Sequence, residues 1–193
     1  MADPAYDPGG KVKLAMLRGM RGGATFCGAD GGPGDTHRPL LWREWGAEGA
    51  PYALFCGMNP SIAGAEIDDP TVRREITRTM GWGLTSYRKV NVADYRATDP
   101  KGLRFVAKPS SGLNLPTIME QALGAERVVL AFGALPPLMR LLAVKVVAAL
   151  RSREVQLWCL GVMNDLSPRH PLYLRSDAPL IPWAGWPERS DFV

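Results

Sequence analysis

The stretch "PYALFCGMNPSIAGAEIDDPTVRREI", residues 51–76, passes from an apolar run through a polar turn into the start of a helix. Residues 51–58 predict a strand buried on both faces, because the run has the length of a strand and lacks polar alternation. Asp69 followed by Pro70 predicts a helix N-terminus, because Asp accepts hydrogen bonds from exposed amides and Pro needs no such bond. The stretch therefore predicts a strand, a loop and a helix in succession.

The same succession recurs along the rest of the chain. Strands are also predicted over 88–95, 127–133 and 155–161, and helices over 70–81, 113–124 and 134–153. Alternating apolar strands and helices are typical of a covered parallel sheet, so we predict an α/β fold with a central four-stranded parallel sheet flanked by helices. The length favours a single domain, with a loop-rich N-terminal segment at 1–40 and the α/β domain at 41–193.

The amino-acid composition indicates which kinds of partner and cofactor to expect. The formal charge of +4 and the excess of arginine, 17 Arg against 6 Lys, favour an anionic partner such as nucleic acid. No apolar run reaches the length of a membrane span, and the N-terminus does not resemble a signal peptide, so we expect a cytoplasmic protein without membrane contact. Three cysteines without paired spacing predict neither a metal site nor a cofactor.

Polar residues follow each predicted strand at its carboxyl end, which is where parallel sheets bind ligands. They include Asn59 after the first strand, Asn91, Asp94, Tyr95 and Arg96 after the second, and Asn164, Asp165, Arg169 and His170 after the fourth. Taken singly, each has a purely structural explanation. Asp69 can be a helix cap and Asn59 a turn residue, while His170 can be structural or face solvent. The prediction of a site depends on their convergence at one edge of the sheet.

Four motifs in order resemble those of the uracil-DNA glycosylase superfamily. They are "FCGMNPS" at 55–61, "KVNVADYRATDP" at 89–100, "RVVLAFGALPPLMRLL" at 127–142 and "SPRHPLYLR" at 167–175. The chain is most similar to a little-characterised bacterial and phage branch. That branch includes anti-phage glycosylases that remove glucosylated hydroxymethylcytosine from phage DNA.

The resemblance implies a uracil-DNA glycosylase-like fold and a monomeric DNA glycosylase that flips a modified base out of double-stranded DNA, leaving an abasic site. It implies that Asn59 orients the attacking water, that His170 donates to the departing base, and that Asp68 or Asp69 assists the water or the cationic sugar. The implied base pocket comprises Met58, Pro60, Ser61, Asn91 and Tyr95. The implied DNA contacts are Lys89, Arg96, Arg169, Arg175 and the wedge residues Leu172 and Tyr173.

The chain departs from the uracil-specific members just after the first motif. Small or aliphatic residues, "IAG" at 62–64, stand where those members have an aromatic residue that stacks on uracil. This difference predicts a roomier pocket, which favours a bulky modified base over uracil. Two alternatives stay open: a non-catalytic module that binds modified DNA, and an N-glycosidase that acts on free nucleosides or nucleotides.

Overall fold

The computed structural model describes residues 12–186 of the 193-residue chain. The strands are β1 (Leu14–Ala15), β2 (Arg21–Cys27), β3 (His37–Glu44), β4 (Tyr52–Gly57), β5 (Ile67–Asp68), β6 (Ser86–Asn91), β7 (Arg127–Leu130), β8 (Leu157–Cys159) and β9 (Ile181–Pro182). The helices are α1 (Pro70–Gly81), α2 (Asn114–Leu123) and α3 (Pro137–Arg151), with short 3₁₀ helices at Pro100–Phe105 and Pro171–Tyr173. No helix within these residues is long and apolar enough to cross a membrane.

Seven strands form the main sheet in the order β2-β3-β6-β4-β7-β8-β9, and β1 pairs with β5 in a separate two-stranded sheet. Strands β6, β4, β7 and β8 run parallel to one another. Antiparallel pairing adds β3 and then β2 at one edge and β9 at the other. The predicted fold class, a central four-stranded parallel sheet flanked by helices, is therefore wrong, because the sheet is larger and mixed.

The antiparallel strands were missed because their sequences give little local indication of a strand. Strand β2 has the sequence RGGATFC, and glycine is disfavoured in strands. Strand β9 has only two residues, Ile181–Pro182. The boundary predicted at residue 40 falls inside β3, so part of the segment expected to be loop-rich belongs to the sheet.

The core lies on both faces of the central strand β4, whose six residues are all buried. Leu54 and Cys56 pack on one face against a cluster that includes residues of α2 and α3. Ala53 and Phe55 pack on the other face with Val72 and other residues of α1. Because side chains alternate along a strand, one short apolar run contributes to both layers of the core. The carboxyl end of β4 is thereby fixed between the helices.

Candidate functional site

A polar pocket of about 340 Å³ lies at the carboxyl ends of β6, β4 and β7. It brings together nine residues predicted from the sequence: Met58, Asn59, Ser61, Asp69, Lys89, Asn91, His170, Leu172 and Tyr173. Its volume is within the range of roughly 300–1,000 Å³ typical of small-molecule sites. The pocket therefore gathers residues that are far apart in the sequence, such as Asn59 and Tyr173, which are separated by 114 positions.

Two hydrogen bonds from its nitrogen fix the side-chain amide of Asn59. Its Nδ2 donates to the carbonyl oxygens of Pro60, at 2.9 Å, and Ala97, at 2.8 Å. Within residues 12–186 its Oδ1 has no hydrogen-bond partner. The arrangement fixes the orientation of the amide and leaves an acceptor at the pocket.

Asn91 ends β6 with a fully buried side chain that lines the same pocket. Neither its Nδ2 nor its Oδ1 has a hydrogen-bond partner in the described part of the chain. Gly57 makes room for this amide, since a Cβ at that position would lie 2.7 Å from Oδ1. A buried polar group without a partner costs about 1–3 kcal/mol. A ligand that offers both a donor and an acceptor would remove this cost.

His170 also lines the pocket and lies just before the Pro171–Tyr173 turn. The backbone N–H of Leu172 donates to its Nδ1 at 3.3 Å. When Nδ1 accepts, the neutral ring carries its proton on Nε2, which is then a donor. Gly133 has φ of 70° and approaches this residue closely, since a Cβ there would lie 3.0 Å from the His170 Cβ. The glycine turn after β7 thus permits the histidine to reach the pocket.

The adjacent carboxylates Asp68 and Asp69 have different surroundings. Asp68 is fully buried away from the pocket, and its two oxygens accept from Arg43 Nε at 2.9 Å and Arg73 Nε at 2.7 Å. Asp69 caps α1 by accepting from the Val72 N–H at 2.9 Å, and it also lines the pocket. Of the two predicted carboxylates, the structure therefore brings only Asp69 to Asn59 and His170.

Arg38, which was not predicted from the sequence, also lines the pocket and is almost fully buried. Its Nη1 donates to the Ala63 carbonyl at 2.6 Å. Burial lowers the pKa of Arg38 to about 10, and the charge of Asp69 opposes that decrease. Arg38 was missed because it reaches the pocket only through the antiparallel pairing of β3 with β6, which no local pattern predicts.

Lys89 is buried in an ion pair. It is 5% exposed, and its Nζ donates to both carboxylate oxygens of Glu75 at 2.7 Å. The Tyr87 hydroxyl donates to the same carboxylate at 2.6 Å. Burial raises the pKa of Glu75, and the charge of Lys89 opposes part of that increase. The residue predicted to contact DNA phosphates therefore lies at the inner surface of the pocket.

The remaining predicted residues lie outside this pocket. Tyr95 is buried and packs edge-on against His37 at 5.3 Å between ring centroids, and Arg96 donates to the Asp35 carbonyl. Arg175 forms an exposed ion pair with Asp177. Arg169 lines a neighbouring open cavity of about 550 Å³, which shares His170 and Tyr173 with the polar pocket. Pro60 contributes its carbonyl, which accepts from Asn59.

Helix α1 anchors the loop that carries His170. Arg74 Nη2 donates to the Leu174 carbonyl at 2.8 Å. Arg78 Nη1 donates to the carbonyls of Ser176, at 3.3 Å, and Ala178, at 3.2 Å. The same helix begins with the pocket residue Asp69, so it supports both sides of the site.

Residues 12–186 contain no group of three or more His, Cys, Asp or Glu side chains placed to hold a metal ion. Fold and site together define a protein with a seven-stranded mixed sheet and a pocket, lined in part by polar side chains, at the carboxyl ends of its parallel strands. The chain belongs to the family described as "Protein of unknown function (DUF1643)", whose model matches residues 38–172. Comparisons with curated proteins and with solved structures gave no match. The matched range begins at Arg38 and includes Asn59, Asp69 and His170.

Proposed function

We propose that the protein is a DNA N-glycosylase that excises a modified base from a flipped-out nucleotide and leaves an abasic site. The observation that carries the proposal is that Asn59, Asp69, Asn91 and His170 line one pocket. The motif resemblance supplies the reaction class and the candidate base, glucosylated hydroxymethylcytosine. The aliphatic and small residues 62–64, from which the sequence predicts a roomier pocket, are not among the residues that line it. The proposed role is defence against phage DNA.

The chemistry requires a site that stabilises separated charge. A duplex hides the bond between base and sugar, so the nucleotide must be extruded at a cost of a few kcal/mol. When that bond breaks, the sugar becomes cationic and the base becomes electron-rich. Fixed dipoles and charges around both fragments lower the barrier more effectively than a strong nucleophile would.

The described geometry suggests a role for each side chain. The Oδ1 of Asn59 would accept from the attacking water, since its nitrogen is already bonded to two carbonyls. Asp69 would offset the positive charge on the sugar. His170 would donate from Nε2 to the departing base, because its Nδ1 accepts from Leu172.

Recognition of the base would fall to Asn91. Its buried amide offers two donors and an acceptor with no protein partner among the described residues, which suits the hydrogen-bonding edge of a pyrimidine. Such an edge would satisfy atoms that are otherwise costly to bury.

Contact with the duplex would involve the Pro171–Tyr173 turn. Tyr173 is 84% exposed and Leu172 is partly buried at the pocket, which suits side chains that fill the space left by a flipped base. The net charge of +4 and the arginines Arg169 and Arg175 would attract the backbone. We propose a monomer that acts in the cytoplasm on double-stranded DNA.

The test is incubation with duplexes that carry uracil, hydroxymethylcytosine or glucosylated hydroxymethylcytosine, followed by alkali to cleave abasic sites. Strand cleavage is expected with the glucosylated base and should be lost in Asn59→Ala. Lys145→Ala, which removes an exposed charge outside the pocket, is the control and should cleave as the wild type does. Absence of cleavage on all three duplexes would rule out the proposal for these bases.

The two alternatives give different results. A binding module would retain the modified duplex without releasing its base. An N-glycosidase for nucleosides or nucleotides would act on free substrates and would bind DNA with little dependence on salt. A DNA glycosylase should bind DNA less tightly as salt increases, because phosphate contacts release counterions.

A further inference from the structure

The buried ion pair of Lys89 and Glu75 lies at the inner wall of the polar pocket. Lys89 lines the pocket, and its Nζ would lie 3.3 Å from a Cβ built on the lining residue Gly57, whereas Glu75 is fully buried and is not one of the lining residues. The pair is therefore oriented, with its positive end at the pocket and its negative end beneath helix α1.

Strand geometry holds the cation close to the amide that would recognise a base. Tyr87, Lys89 and Asn91 occupy alternate positions of β6, so their side chains are on the face that packs against α1. A Cβ on Gly57 would lie 3.3 Å from Lys89 Nζ and 2.7 Å from Asn91 Oδ1. These two atoms are therefore no more than about 6.0 Å apart.

A buried ion pair of this kind adds little net stability to a fold. Burying two charges costs several kcal/mol, and replacing such a pair by apolar residues is often neutral or stabilising. An ammonium has three hydrogens, and the acceptors of Lys89 within residues 12–186 are the two oxygens of Glu75. One N–H of the ammonium is thus left without an acceptor among the described residues, and Lys89 is a residue that lines the pocket.

We propose that Lys89 is a catalytic residue that stabilises the negative charge on the departing base, and that Glu75 and Tyr87 position it. The inference rests on the proposed glycosylase function. As the bond between the base nitrogen and C1′ breaks, both bonding electrons go to the base, and the ammonium donates a hydrogen bond to it. Water forms the new bond to C1′, and the proton that this water loses neutralises the departed base, while Lys89 contributes only a hydrogen bond.

The electrostatic role can be measured without catalysis by comparing two planar pyrimidines of similar size. Uracil is neutral at pH 7 and barbiturate is an anion, so the pair imitates the base before and after bond cleavage. The wild type should bind barbiturate at least about 10-fold more tightly than uracil, since hydrogen bonds to charged groups are stronger than those between neutral groups. Isothermal titration calorimetry gives both affinities.

The informative variant is Lys89→Met combined with Glu75→Gln, because removing the lysine alone would leave an unpaired buried carboxylate. The new amide still accepts from Tyr87, so the fold should be kept, which thermal unfolding checks. The preference for barbiturate should disappear while uracil affinity stays within about 2-fold, because only the interaction with negative charge is removed. On whichever duplex the wild type cleaves, kcat should fall and KM should change little.

The matched control is Lys108→Met with Asp30→Asn, which makes the same chemical change in an exposed ion pair outside the pocket. It should keep the preference for barbiturate. The inference is overturned if the wild type does not distinguish the two ligands, or if the pocket variant loses both affinities equally. A preference that depends on Lys89 in a protein that cleaves none of the modified duplexes would overturn the glycosylase proposal and retain the anion-binding role.

Discussion

The molecule contains two buried polar regions that meet at neighbouring residues. The sealed cluster, formed by Arg43, Asp68 and Arg73, satisfies both oxygens of its carboxylate with guanidinium donors. The pocket cluster, which begins at Asp69 and includes Asn91, leaves a buried amide without a partner among the described residues. A closed set of partners indicates a role in stability, whereas an incomplete set indicates a place for a ligand.

Asp68→Ala tests the stabilising role of the sealed cluster, and it should lower the free energy of unfolding more than any of the other variants. It leaves Arg43 as an uncompensated buried charge, which typically costs about 3–5 kcal/mol. Urea unfolding measures the loss, while ligand binding at the pocket should survive under native conditions. A loss below about 1 kcal/mol would mean that the sealed cluster does not act through charge pairing.

Asn59→Ala should have the next largest effect and act on rate. Removing one preorganised polar group typically slows catalysis by about 10²–10³-fold, or about 2.7–4 kcal/mol. The change should be measured as single-turnover base release, with folding checked by circular dichroism. A rate close to that of the wild type would remove Asn59 from the proposed mechanism.

Glu75 provides a smaller, pH-dependent test. Because burial raises its pKa above the unfolded value of 4.5, the folded state binds more protons than the unfolded state just above that pH. Stability should therefore fall as pH rises through this window, by on the order of 1 kcal/mol per pH unit at most. Urea unfolding of Glu75→Gln should lack this slope, and an identical slope in both proteins would contradict the assignment.

Two variants of Asp69 distinguish its role as the cap of helix α1 from its proposed role in catalysis, and they should have the smallest effects on stability. Asn caps helices nearly as well as Asp, so Asp69→Asn should change the unfolding free energy by less than about 0.5 kcal/mol, whereas Asp69→Ala should cost about 1 kcal/mol. Both variants lose the carboxylate and should release the base more slowly. If Asp69→Asn kept full activity, the residue would be a cap alone.

The sequence predicted the elements whose cause is local. The apolar run before Gly57 and the Asp69–Pro70 helix start are visible within a few residues, and β4 and α1 follow them closely. The antiparallel strands depend on pairing between distant segments, so β2 and β9 were missed and the fold class was wrong. Local patterns therefore identified the centre of the sheet but not its edges.

The residues of the pocket also divide into those that a local sequence pattern predicts and those that depend on contacts between distant segments. Asn59, Asn91 and His170 were predictable because strand ends and the loops after them converge at one edge of a sheet. The pocket position of Arg38 could not be predicted, because it depends on the pairing of β3 with β6. The burial of Lys89 could not be predicted either, because it depends on the contact with Glu75 in helix α1. The charges of the site are thus set by tertiary contacts.

Helix α1 has a consequence for protein engineering. Its first turn holds Asp69, while Arg74 and Arg78 bind the backbone of the segment that follows His170. The parts of the pocket that carry Asp69 and His170 are therefore linked through one helix. A graft of the pocket into another scaffold must carry the helix together with residues 170–178, since either piece alone would arrive without its counterpart.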